Sequence, residues 1–141
     1  MQASTRNQFS GTISAVAHGP VNAEVDIDIG NGLTLVSIIT NSSSERLGLE
    51  AGKSVTALIK ASSVILTVGS DYHISARNQF CGKVVSCQEG AVNGEVSIEL
   101  PGGMVITSII TNESIHKLGI SEGSEVCALV KAFNVIVAVP A

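Results

Sequence analysis

Three short groups of side chains concentrate the chemistry of this 141-residue chain. The first is Ser4 with Arg6, the second Thr40 with Ser43, and the third Lys60 with Ala61 and Ser62. Most of them return 71 positions later, as Ser75, Arg77, Thr111, Ser114, Lys131 and Ala132. Arg presents a planar fork of donors, Lys a compact point charge, and the hydroxyls add directional donors. No His, Cys or carboxylate is interleaved with them in the sequence. A donor-only set of this kind suits a small oxyanion, above all where strand-end amides or a helix N-terminus contribute N–H groups. Arg46 and Lys117 form a further matched cation pair.

The same chain offers little for catalysis. His18, His73 and His116 have no repeat partners and no metal-ligand spacing. Cys81, Cys87 and Cys127 fall where the first copy has Ser10, Val16 and Thr56, so a cysteine nucleophile would leave one copy without machinery. No zinc-ligand spacing, Walker A sequence or dinucleotide fingerprint is present. The expectation is a protein that is not an enzyme and has no direct ligands for a metal cation.

The repeat is gapless. Residues 6–69 align with 77–140, and 29 of the 64 pairs are identical. Six of the eight Lys and Arg residues are matched, but only Glu24 with Glu95 and Asp28 with Glu99 among twelve acids. Shared descent alone explains part of this. The hydroxyls matched around the cations point to a retained function. A second matched segment, Gly19-Pro20-Val21-Asn22 and Gly90-Ala91-Val92-Asn93, allows a tight turn with exposed amides. On spacing alone, a barrel-corner turn is the simpler reading.

The elements that must position these groups are short strands. Residues 25–29 alternate as a half-buried strand, and Gly30-Asn31-Gly32 is a hairpin signal that Pro101-Gly102-Gly103 replaces in the second copy. Residues 8–16, 33–39, 55–61 and 64–68 complete five strands. Ser42-Ser43-Ser44-Glu45 offers N-cap chemistry for a short helix that stops at Gly48. The pattern predicts an all-β protein of two tandem OB-like five-stranded barrels, each with a short helix, over residues 1–69 and 70–141. Residues 64–68 and 135–139 are apolar on both faces, so one face should pack against a neighbouring unit. The connector at 69–73 is short.

Composition narrows the partners. Hydrophobic residues make up 45% of the chain and aromatic ones 3%, so the core is aliphatic. A formal net charge of −4 with so few aromatics disfavours nucleic acid and anionic membranes. No apolar stretch approaches the roughly 20 residues of a membrane span, and the first residues lack the apolar segment of a signal peptide. Three cysteines confined to one copy argue against a disulfide framework and for reduced thiols in a cytoplasm.

The matched series Ser75-Ala76-Arg77-Asn78-Gln79, Gly90-Ala91-Val92-Asn93-Gly94-Glu95-Val96, Thr107-Ser108-Ile109-Ile110-Thr111-Asn112-Glu113, Leu118-Gly119-Ile120 and Ala128-Leu129-Val130-Lys131-Ala132 resembles the Mop domain of molybdate-binding proteins. The first copy shows the same series with Thr5 in place of Ala76. Two such domains over nearly the whole chain resemble the di-domain molbindins. The resemblance implies a cytoplasmic protein that binds molybdate, or tungstate, for storage and homeostasis. It implies a homotrimer of six Mop domains with sites at interfaces between domains. The main site would comprise Ser4, Arg6, Thr40, Ser43, Lys60 and Ala61, and in the second copy Ser75, Arg77, Thr111, Ser114, Lys131 and Ala132. Arg46, Lys117 and Ser62 would lie in an outer shell. An axial site would map onto Gly19, Val21 and Asn22, and onto Gly90, Val92 and Asn93. The resemblance thereby favours a binding role for those turns. Rival readings are an OB-fold nucleic-acid-binding module, a purely structural oligomerisation module, and a transcriptional sensor. The last requires a helix-turn-helix segment that these residues do not supply.

Overall fold

The protein, described here by a computed structural model covering residues 1–69 and 71–141, is built mostly from strands. Ser70, part of the expected connector, lies outside the described residues. The first copy forms β1 (Asn7–His18), β2 (Asn22–Gly30), β3 (Leu33–Thr40), helix α1 (Asn41–Leu47), β4 (Ser54–Ile59), a 3-10 turn at Ala61–Ser63 and β5 (Ile65–Thr67). The second repeats the order as β6 (Asn78–Glu89), β7 (Asn93–Glu99), β8 (Val105–Thr111), α2 (Asn112–Leu118), β9 (Glu125–Val130), a 3-10 turn at Ala132–Asn134 and β10 (Ile136–Ala138). The expected strands and helix are present in both copies. The 3-10 turns, which divide what the sequence reads as nearly continuous strands, are not among the expectations.

Local sequence accounts for these elements. On β2, Ala23, Val25, Ile27 and Ile29 are buried, while Glu24, Asp26 and Asp28 alternate with them. Gly30 pairs with Leu33, leaving Asn31 and Gly32 as a two-residue loop at φ 55° and 74°. Both positive angles suit the tight twist of a hairpin. Pro101 holds φ negative, so the second copy needs a longer loop, closed by the Leu100 amide donating to Met104 O at 2.7 Å. Each helix is capped by the threonine before it rather than by the serines within it. The Ser43 amide donates to Thr40 Oγ1 at 3.1 Å and the Ser114 amide to Thr111 Oγ1 at 3.1 Å. Gly48 and Gly119, both at φ 64°, end the helices in the left-handed conformation.

The compact units do not follow the repeat boundaries. One unit comprises Met1–Asn7 and Lys60–Val130, the other Gln8–Ile59 and Lys131–Ala141. The division 1–69 and 70–141 therefore describes the sequence repeats, and each unit draws its last strand from the other repeat. In the first unit the sheet runs β5-β9-β6-β7-β8, with Leu66 opposite Ala128. In the second it runs β10-β4-β1-β2-β3, with Val137 opposite Ala57. The apolar strand that follows each 3-10 turn buries Leu66 or Val137 on the sheet edge it pairs with. Within each unit the third strand reaches the start of the last. Ser108 Oγ donates to Val64 O and Ser37 Oγ to Val135 O, both at 2.7 Å. The cores are aliphatic, around Ile98, Ile106 and Val96 in one unit and Ile13, Ile27 and Leu35 in the other.

The cysteine expectation is corrected. Cys81 on β6 lies directly opposite Cys127 on β9, and the two form a disulfide with Cα atoms 3.9 Å apart. Comparing the two copies in sequence does not reveal this, because the pairing partner sits on an adjacent strand of the same copy. Cys87 is the free cysteine. Among the described residues, no helix is long and apolar enough to cross a membrane.

Candidate anion-binding site

The first unit gathers one set of the matched donors. Ser4, Arg6, Lys60, Ala61 and Ser62 line an open cleft of about 360 Å³, with Thr5, Glu95 and Ile109 completing it. These residues come from four places in the chain: the segment before β1, Lys60 with the 3-10 turn after β4, and one position each on β7 and β8. Glu95 and Ile109 are partners in the β7–β8 register.

Asn7 fixes the arginine. Its side chain behaves as a piece of strand backbone. Asn7 Nδ2 donates to Thr107 O at 2.7 Å, and the Thr107 amide donates to Asn7 Oδ1 at 2.8 Å. Asn7 is 1% exposed, so neither bond is traded for water. The Asn7 amide donates to Thr5 Oγ1 at 3.2 Å, which shapes the backbone on either side of Arg6. Arg6 itself is exposed, next to this anchored residue. Lys60 stands at the N-terminal side of the 3-10 turn, where no side chain caps the first amides of Ala61 and Ser62. The arrangement therefore places two cations, the three hydroxyls of Ser4, Thr5 and Ser62, and a turn of backbone around one cleft.

One member was not expected. The Glu95 carboxylate lies in the cleft and forms an ion pair with Arg6. The set is donor-only along the sequence but not in space. The signal that could have found it was the short list of acids kept in both copies, where Glu24 and Glu95 are one of two matched pairs.

Other expected site residues lie elsewhere. Thr40 and Ser43 belong to the second unit. Their hydroxyls are bonded to each other at 3.0 Å, with Thr40 donating. The Ser43 hydroxyl hydrogen then remains available to a further acceptor. Thr111 and Ser114 make the same bond at 2.8 Å in the first unit and are not in the lining of the cleft among the described residues. The second set is divided between units: Ser75, Arg77, Thr111 and Ser114 in the first, Lys131 and Ala132 in the second. Arg46 and Lys117 are exposed in the last turns of α1 and α2, apart from the cleft lining. Phe133, at the position of Ser62, is exposed.

The turns expected to carry an axial site use their glycine amides internally. The Gly19 amide donates to Asn22 O and the Gly90 amide to Asn93 O, each at 2.8 Å. Asn41 Nδ2 donates to Gly19 O and Asn112 Nδ2 to Gly90 O, again at 2.8 Å. The expectation of exposed amides is thus corrected at the glycines. Val21 and Val92 are exposed, at 68% and 70%. Two of the three histidines serve as surface partners: His18 Nδ1 lies 3.2 Å from Asn41 Oδ1 and His116 Nε2 lies 2.6 Å from Glu89 Oε1. Among the described residues, no three His, Cys, Asp or Glu side chains are placed to hold a metal ion.

Comparison with known proteins matches this architecture. The TOBE domain model matches residues 3–66 and again 74–137. The chain is similar to the cytoplasmic molybdate-binding protein ModG, whose structure has molybdate bound. The TM-score is 0.96 at 47% identity, covering 99% of this chain and 100% of that one. It is 41% identical to the molybdenum transport protein ModE of Azotobacter vinelandii, over 99% of this chain and 52% of that one. It is 41% identical to the molybdenum-pterin-binding protein MopA of Rhodobacter capsulatus, over 99% and 53% respectively. The chain spans about half the length of these two relatives.

Proposed function

Because this chain belongs to the TOBE-domain family, with two such domains in tandem, we propose that it binds molybdate reversibly as a storage and buffering protein. Tungstate, of the same charge and shape, is accepted at the same sites. The role is binding without bond-making, in the cytoplasm. The similarity to ModG over the full length of both chains supports ligand and compartment alike.

The observation that carries this reading is the convergence of Arg6, Lys60, Ser4 and Ser62, distant in sequence, on one cleft. A tetrahedral dianion is costly to remove from water unless donors meet its oxygens on most sides. The cleft supplies them on one side. The remaining donors, Thr40 and Ser43, come from another copy of the chain, and the oligomer is a homotrimer of six domains. Exposed apolar residues at Ile65, Val68 and Ile136 are the surfaces such an assembly would bury. Ser75, Arg77, Thr111, Ser114, Lys131 and Ala132 build the equivalent site. Arg46 and Lys117 raise the local potential from outside. The turns at Gly19, Val21 and Asn22 and at Gly90, Val92 and Asn93 contribute to an axial site through groups other than their glycine amides.

Equilibrium dialysis against molybdate with sulfate as competitor, read as molybdenum per chain, tests the proposal. Wild-type protein should bind molybdate and resist sulfate. Arg6→Glu and Lys60→Glu should each lower the stoichiometry while leaving the fold intact by circular dichroism. Unchanged stoichiometry in both variants would refute the assignment of this cleft.

A further inference from the structure

Arg6 is the strongest single donor in the cleft, and it already has an anion. The Glu95 carboxylate is paired with its guanidinium, while Lys60 lines the same cleft. Any oxyanion that uses Arg6 must take it from this carboxylate or bind beside a like charge. A nearby carboxylate, Glu89, is engaged by His116 at 2.6 Å and lines a neighbouring cleft. Among the described residues lining the candidate site, Glu95 is the single acid.

We propose that Glu95 is a specificity-determining residue that competes with the ligand for Arg6 and sets a charge threshold for entry. This rests on the oxyanion-binding reading given above. The physical basis is an exchange of anions. The tethered carboxylate is present at high effective concentration, so a dissolved monoanion gains little by replacing one charge with another. A dianion interacts about twice as strongly with both Arg6 and Lys60 and can displace the carboxylate. Glu95 therefore weakens every anion, but abundant monoanions most in relation to what they gain. The pair is partly exposed, with side chains at 60% and 39%, so its hold on Arg6 is modest and reversible rather than a lock. The Asn7–Thr107 bonds keep the backbone beside Arg6 in place whichever anion the guanidinium faces. Both copies keep the arginine, Arg6 and Arg77, and the glutamate, Glu24 and Glu95, as a built-in competitor would require.

Titration calorimetry with molybdate, repeated in the presence of perchlorate as a monoanion, tests this on wild type, Glu95→Gln, Arg6→Gln and Arg6→Gln/Glu95→Gln. Glu95→Gln should bind molybdate about fivefold more tightly and become measurably inhibited by perchlorate. The gain should vanish in the double variant relative to Arg6→Gln alone, because the effect acts through Arg6. Equal or weaker molybdate binding by Glu95→Gln, with wild type binding normally, would overturn the inference and make Glu95 a support for Arg6. Absence of molybdate binding in wild type would instead overturn the functional reading beneath it.

Discussion

Where the helix lies against the second strand, one unit holds Ala23 and Ser44, and the other holds Gly94 and Ile115 at the same repeat positions. Ala23, Ser44 and Ile115 are all at most 2% exposed. A Cβ on Gly94 would stand 2.3 Å from Ile115 Cδ1, so the large residue is possible only because the strand gave up its methyl. Charges were exchanged in a similar way. His18 and Glu45 occupy the positions of Glu89 and His116. The scaffold drifted by such trades, while Ser4, Arg6, Thr40, Ser43, Lys60 and Ala61 kept identical counterparts. Packing has many near-equivalent solutions of equal volume, whereas a charged donor has no substitute of the same reach and geometry.

The largest difference between the copies is covalent. The second has the Cys81–Cys127 bond across β6 and β9, where the first has Ser10 and Thr56. The closed loop has a sequence separation of 46, which by chain entropy corresponds to stabilisation on the order of 4 kcal/mol. Reductant, or the double change Cys81→Ser and Cys127→Thr, should lower the guanidinium unfolding midpoint of the unit containing β6 and β9. Thiol counting in denaturant should give one free thiol without reductant and three with it. A midpoint indifferent to reductant would remove the bond from the comparison. In a reducing cytoplasm the two thiols would face each other unbonded.

The next contrast is the small-for-large trade. Gly94→Ala should cost about 2 kcal/mol by overpacking against Ile115. Adding Ile115→Ser recreates the first copy's combination and should cost less than the two single changes summed. A double-mutant cycle with no coupling would mean that the two positions drifted independently.

Much of this was legible in the sequence because it depends on local pattern. Alternation on β2, the Asn31-Gly32 loop and the glycine helix stops are consequences of backbone sterics and burial that a few residues determine. The repeat also marks Ser4, Arg6, Lys60 and Ala61, which the structure brings to one cleft. What was not legible depends on long-range pairing. Leu66 could bury against either sheet edge, and nothing in residues 64–68 says that β9 is the partner. The disulfide needs the β6–β9 register, and the Arg6–Glu95 pair joins residues from different repeats. The capping threonines were missed for a smaller reason: three serines at the helix start compete for the same role on paper, and only the strand's end point decides among them.

The smallest expected effect concerns Cys87, where the first copy has Val16. The thiol lines a cleft of about 520 Å³ with Glu89, His116 and Glu122. Burial first, then the charges of Glu89 and Glu122, push its pKa above the usual thiol range. The folded state then holds this proton more tightly than the unfolded chain does. Its contribution to stability is therefore intact below the ordinary thiol pKa and is lost as pH rises from there to the raised folded value. Reactivity follows the thiolate fraction, so iodoacetamide should label native Cys87 more slowly at pH 8 than it labels the same cysteine in denaturant. Because burial is the larger cause, Glu89→Gln should restore only part of the difference, about a twofold gain in rate. The Val16→Cys variant of the other copy gives the internal control. Position 18 holds His where position 89 holds Glu, so the local acid is missing and the new thiol should label faster than Cys87. Equal rates at the two positions would show that neighbouring charge is not what separates the two copies at this site.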